Sequence, residues 1–167
     1  MSASDAGSGR RGQALVELVL LLPILLLLGF GVVEFARSLD AVHSMSSLSR
    51  EGANLAARGT SLDSVANVVI ANAGDIALDG AGGVIATQLE VVAGRPVIRE
   101  QAFSVGFTRP SVLGTVGDTA IALDGLGLLE GRRHYVVEIF YRFSTITPLR
   151  GLFGLGLRDT LYDRAVF

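Results

Sequence analysis

The sequence predicts an α+β protein: a long N-terminal helix that crosses a membrane and continues outside it, followed by a small head built on an antiparallel sheet. Three observations carry this. Residues 13–33 hold a single ionisable side chain, Glu17. Apolar residues then recur at steps of three or four as far as about Arg58, and beyond Val84 the apolar period falls to two.

Met1 to Gly12 is small, polar and without periodicity and ends in Arg10 and Arg11, which reads as a leader or a disordered cytoplasmic tail. At about 1.5 Å per residue, the run from Gln13 to Val33 spans roughly 30 Å, the thickness of a bilayer core. Pro23 lies inside this expected transmembrane helix as a kink position. It would be costly in water, whereas in lipid neighbouring helices and local adjustments satisfy the carbonyl it frees. Arg10 and Arg11 precede the span and Glu34 follows it, so the positive-inside rule orients the N-terminus to the cytoplasm and the rest of the chain outside.

Residues 34–58 continue the helix. Phe35, Leu39, Val42, Met45, Leu48, Gly52 and Leu55 form a narrow apolar stripe among Arg37, Asp40, Ser46, Arg50 and Asn54. Gly59 offers a stop, and Thr60 with Asp63 resembles a capping box that opens a second helix. Leu62, Val65, Ala66, Val69 and Ile70 line one face of that helix, and Gly74 closes it. The head occupies residues 59–167. Val84 to Val92 alternates Ile85, Thr87, Leu89 and Val91 on one face, Ala93 to Pro96 reads as a turn, and Val97 to Phe103 returns as a partner strand. Arg109 to Arg133 is glycine-rich and reads as loop. His134 to Phe143 is the clearest strand, with Tyr135, Val137, Ile139, Tyr141 and Phe143 on one face and Glu138 and Arg142 on the other. Pro148 ends it, and the tail to Phe167 is expected to add a short edge strand.

Composition narrows the function classes. Half of the 167 residues are hydrophobic and 18% are charged, enough for one modest domain with an apolar appendage. Without cysteine there is neither a disulfide framework nor a thiolate metal site nor a thiol nucleophile. All basic residues are arginines, scattered with the acids to a net charge of -2, so no basic stripe tracks a nucleic-acid backbone. His43 lies on the polar side of the long helix and His134 opens a strand, and neither has a close second ligand. The clusters Gly80 to Gly83, Gly125 to Gly131 and Gly151 to Gly156 lack the strand, loop and helix order of a dinucleotide site, and no lysine and hydroxyl pair follows them. They read as turns, flanked by the turn carboxylates Asp75, Asp79, Asp118 and Asp124. No cofactor is expected, and no nucleophile and base pairing supports an enzyme.

The apolar run is longer than the roughly 7–15 residues of a secretory signal and runs into charged helix without a small-x-small cleavage site. Gly12-Gln13-Ala14-Leu15 also fits a twin-arginine signal poorly. Glu17 is the informative residue. It could snorkel to the headgroups, but an acid inside a span is by default functional and needs a partner.

Arg10 to Glu17 resembles a class III signal: basic residues, a glycine, and a glutamate as the fifth residue after it. Gly12-Gln13-Ala14-Leu15-Val16-Glu17, Leu22-Pro23, Gly31-Val32-Val33-Glu34-Phe35-Ala36-Arg37 and Arg50-Glu51-Gly52-Ala53 resemble, in order, the elements of the TadE-like family of minor pseudopilins. The family often has another basic residue where this chain has Asn54, and Val136-Val137-Glu138-Ile139-Phe140-Tyr141 resembles its late strand. The resemblance implies a pilin-like lollipop in the bacterial inner membrane, with a periplasmic head. It implies cleavage by a prepilin peptidase between Gly12 and Gln13, and pairing of Glu17 with the new amine of Gln13, which lies on the same helical face. The implied partners are that peptidase, a sister pseudopilin, the major Flp-type pilin, the inner-membrane assembly platform and membrane lipid. An uncleaved single-pass anchor presenting a periplasmic binding module is the alternative, and it would be indifferent to Glu17.

Overall fold

A computed structural model describes residues 6–74, 76, 78–147 and 160–167, with side chains from Gly12 onward except that of Asp79. Asp75, Pro148 and the Gly151 to Gly156 cluster lie outside the described residues. The elements are α1 (Ala6–Ala57), α2 (Leu62–Ala71), a short α3 (Leu78–Ala81), β1 (Gly82–Val92), β2 (Arg95–Phe103), a 3-10 turn (Ile121–Leu123), β3 (Arg133–Arg142) and β4 (Thr160–Val166). The strands form one antiparallel sheet in the order β2-β1-β3-β4. The α+β class is therefore as expected, with the tail supplying the edge strand β4. The chain divides into two compact units, Met1–Ser38 with Thr145–Leu157, and Leu39–Ser144 with Arg158–Phe167.

α1 is one unbroken helix of 52 residues, continuous through Pro23. It begins at Ala6, inside the stretch read as a leader without periodicity. Its most apolar window is wholly unburied, and it is the one helix among the described residues long and apolar enough to cross a membrane. A helix apolar on all sides whose most apolar window is unburied points to a single-pass membrane anchor.

Further along α1 the buried stripe differs in part from the expected one. Met45, Leu48 and Gly52 are buried and Leu55 is half-buried, but Phe35, Leu39 and Val42 are exposed. The buried face is instead Ala41, Met45, Leu48, Ser49, Gly52, Ala53 and Ala56. Apolar periodicity selects large side chains, whereas close packing on a sheet selects small ones. Gly52 shows this directly, since a Cβ there would lie 2.7 Å from Val69 Cγ2 and 3.3 Å from both Val137 methyls.

α1 ends at Ala57, and Gly59 turns the chain with φ of 93°. The cap of α2 falls one residue later than expected. Ser61, not Thr60, is the N-cap and accepts from Ser64 N at 3.4 Å. The helix also closes earlier, at Asn72 rather than Gly74. Leu62, Val65, Ala66 and Val69 are buried as the periodicity predicts, and Ile70 is half-buried.

The β1–β2 turn is tighter than the expected Ala93 to Pro96. Ala93 (φ 52°) and Gly94 (φ 74°) make a two-residue turn of the type that matches strand twist, and Arg95 and Pro96 already pair with Val92 and Val91. Glu130 accepts both turn N–H groups, each at 2.8 Å. Pro96 is tolerated because β2 is an edge strand. That edge is itself covered by the loop, through Ile98 N to Asp118 O, Gly117 N to Ile98 O and Ala120 N to Pro96 O.

One sheet face and the two helices share a core that includes Met45, Val65, Val69, Val84, Ala86, Val137 and Ile139. The other face buries Leu89, Ile98 and Val136 under Leu113, Ala120 and Leu123 of the long loop. Gly82 and Gly83 are strand residues rather than turn residues. A Cβ at Gly82 would meet the Phe140 carbonyl and one at Gly83 the Phe107 ring, so close approach selects both. Gly125, Gly127 and Gly131 do turn the chain with positive φ.

Gly52→Val should be overpacked by about 1–3 kcal/mol. Thermal unfolding of the full chain in micelles, followed by circular dichroism, should show a lower Tm; an unchanged Tm would mean that α1 is not packed this closely.

Candidate functional site

The residues singled out in the sequence occupy the first turns of α1. Gly12 lies within the helix, and a Cβ built there meets nothing within 4 Å, so no packing contact calls for glycine at this position. Glycine costs about 0.5–1 kcal/mol in a helix interior, and here no fold contact offsets that. Gln13 and Glu17 share a face as their spacing requires, with Gln13 Nε2 donating to Glu17 Oε1 at 3.1 Å. The donor is the side-chain amide. In the uncut helix the main-chain nitrogen of Gln13 carries a peptide bond, so an amine is created at this place only by cleavage. Arg10 and Arg11 sit in the helix one turn before Gln13, and their side chains lie outside the described residues. Pro23 is accommodated with helix on both sides.

A second acidic centre stands at the end of the apolar run, and sequence reasoning read it only as a topological marker and part of a resemblance. Glu34 is 2% exposed. Its Oε1 accepts the N–H groups of Ile146 and Thr147, both at 2.7 Å, and its Oε2 accepts from Arg37 Nη1 at 3.3 Å. Burial alone would raise the carboxyl's pKa. The Thr147 and Ile146 donors and the Arg37 charge outweigh it and hold the group below its ordinary value. The two backbone N–H groups carry the clamp, at 2.7 Å each. Only chain reversal brings a residue 112 positions away to this helix turn, which local sequence does not announce.

A third carboxylate, Glu138 in the middle of β3, is fully buried. It accepts from Ser111 Oγ at 2.5 Å, Val112 N at 3.0 Å and Tyr162 Oη at 3.0 Å. Burial and the Glu138 charge push the Tyr162 hydroxyl well above its usual pKa, so it stays a donor. Glu138 lies opposite the helix-facing residues, as its alternation predicts, but the long loop covers that face and converts a solvated acid into a latch.

The remaining candidates are structural. His43 is exposed, and His134 Nε2 accepts from Leu129 N at 3.1 Å. Asp118 accepts from Thr115 N and Oγ1 at 2.8 and 2.7 Å, the work of a turn carboxylate. Among the described residues no three potential metal ligands cluster.

Because the Glu34 carboxyl titrates low, its contribution is complete above the ordinary value of 4.5 and is lost as pH falls through the lowered one. Amide hydrogen exchange should therefore show Ile146 and Thr147 protected at neutral pH and down to about pH 5. Glu34→Ala should speed their exchange by roughly tenfold or more, the equivalent of losing hydrogen bonds to a charged group. Unchanged protection in that variant would dissolve the clamp.

A family model described as TadE-like protein matches residues 12–54. No curated protein and no solved structure matches the chain. The matched segment begins at the Gly12–Gln13 junction and takes in Glu17, Pro23, Glu34, Arg37 and Gly52. The resemblance read from the sequence is thereby met over residues 12–54, where α1 is similar to a pilus-associated structural family.

Proposed function

We propose that this protein is a minor pseudopilin of a Flp/Tad-type pilus, held in the bacterial inner membrane by α1 and drawn into the filament to assist or initiate its assembly. The observation that carries this reading is the TadE-like match over 12–54 on a helix whose apolar window is unburied by the chain itself. An all-round apolar helix can exchange lipid for other helices without exposing apolar surface to water. Arg10 and Arg11 before the span and Glu34 after it orient the N-terminus to the cytoplasm and the sheet-bearing part to the periplasm. A prepilin peptidase then cuts between Gly12 and Gln13. A sister pseudopilin, the major Flp-type pilin and the inner-membrane platform are the assembly partners.

The chemistry centres on Glu17. After cleavage the Gln13 amine and the Glu17 carboxylate, both costly in low dielectric, neutralise one another as helices bundle. In the uncut chain the Gln13 amide already sits on this carboxylate, which holds the acid on the correct face.

Two measurements test the reading. Intact mass of the protein from its own membranes should begin at Gln13 where prepilin peptidase is active, and retention of Met1 to Gly12 would reject processing. Glu17→Ala leaves an amine without its partner in a dry bundle, a loss of about 3–5 kcal/mol. The variant should be inserted and cut but fail to co-purify with its sister pseudopilin or to support piliation. Normal piliation would favour a plain anchor presenting a binding module.

A further inference from the structure

The sheet-bearing unit contains a cleft of about 490 Å³ between the start of β1, the loop after β2 and the end of β3. This volume is that of a small-ligand site, and no residue of the pseudopilin reading contributes to it. Two arginines line it, Arg109 from the loop and Arg142 from the last position of β3. Among the described residues Arg37 pairs with Glu34 and Arg99 with Glu90, whereas neither Arg109 nor Arg142 makes an ion pair. In a chain with more acids than arginines, two unpaired cations in one concavity are notable for their chemistry.

Arg109 is also held in place. Its Cζ lies 4.9 Å from the centroid of the Phe140 ring, which is 2% exposed and wedged between Phe107 at 5.5 Å and Tyr162 at 5.0 Å. A guanidinium held over the face of a fixed ring by cation–π attraction still has N–H groups to offer a planar or tetrahedral oxyanion. Thr108 and Thr160 line the same cleft. Gly106, with φ of 76°, takes the loop through a conformation that leaves the mouth without a side chain at that point.

We infer that this cleft binds a hydroxylated oxyanion of monosaccharide size, with Arg109 and Arg142 on the anionic group and the threonine hydroxyls on the ring. The anionic group is a carboxylate, as in a uronic acid, or a phosphate, as in a sugar phosphate. A bare inorganic anion would leave most of the volume unfilled.

The test uses the full chain in a non-ionic, sugar-free detergent, with saturation-transfer NMR and calorimetry against glucuronate, glucose 6-phosphate, acetate and glucose. Glucuronate or glucose 6-phosphate should bind, and whichever binds more tightly identifies the anionic group. Acetate should bind more weakly, and glucose should not bind. Arg109→Gln and Arg142→Gln should each weaken binding about tenfold, and Arg109→Lys should fall between because it keeps the charge but loses the planar, multi-donor guanidinium. Affinity for the unsubstituted chain should fall as sodium chloride rises, which reads the charge contribution without any variant. Neither sugar anion binding, glucose binding equally, or full affinity in the double Arg109→Gln, Arg142→Gln variant with an unchanged Tm would overturn the inference.

Discussion

The contact on which the sheet-bearing unit depends is the close seating of a small-residue helix face on a sheet. Ala41, Ser49, Gly52, Ala53 and Ala56 let α1 approach until Gly52 leaves no room for a Cβ between Val69 of α2 and Val137 of β3. With such short side chains the dispersion contacts are made by backbone and β-carbons, and a single added methyl group is felt. The same seating brings Ser49 Oγ to Asp163 Oδ2 at 2.5 Å, so the buried hydroxyl on α1 finds a partner in a half-buried acid of β4. A helix that must also suit lipid can supply this face only by changing character along its length. It is apolar all round up to Val33 and apolar on one narrow side from Ala41.

Buried carboxylates organise what the apolar cores do not. The long connection between β2 and β3 has little regular structure of its own, and its backbone donors need acceptors. Glu138 accepts the Val112 N–H together with the Ser111 hydroxyl, and Glu130, at the surface, accepts the two N–H groups of the β1–β2 turn. Glu34 does the same for Ile146 and Thr147 in the other unit. Each acid is more strongly bound than a neutral acceptor would be, because its hydrogen bonds are charge-assisted. Three of the acids, Glu34, Glu130 and Glu138, thus lie where loops or turns have to be held.

The TadE-like segment and the sheet divide the work. Residues 12–54 carry the apolar part of α1 and the small-residue face that seats it on the sheet, and they are the segment matched by the TadE-like family model. The cleft, the loop latch and the strand order lie beyond that segment, where a subunit can differ from its relatives without disturbing helix packing. A surface that recognises a ligand is most freely placed there.

Several features were legible because they depend only on residues near in sequence. The anchor, the shared face of Gln13 and Glu17, the face of α2, the β1–β2 hairpin and the alternation of β3 follow from helix and strand periods acting on local pattern. The two-residue turn at Ala93 and Gly94 and the Ser61 cap shifted by one or two positions because neighbouring candidates have similar local energies. Glu130 and the pairing of Arg95 and Pro96 favour one of those turns. Gly82 and Gly83 resembled turn glycines and proved to be strand residues, since the crowding by Phe140 and Phe107 arises only when β3 and the loop arrive. Phe35, Leu39 and Val42 were chosen by size and are exposed, while Ala41, Ala53 and Ala56 are buried. Sequence alone determined where the chain is apolar and with what period. Tertiary structure decided which faces are covered and which acids find distant donors, because both depend on segments from about 17 to 114 residues apart meeting in space.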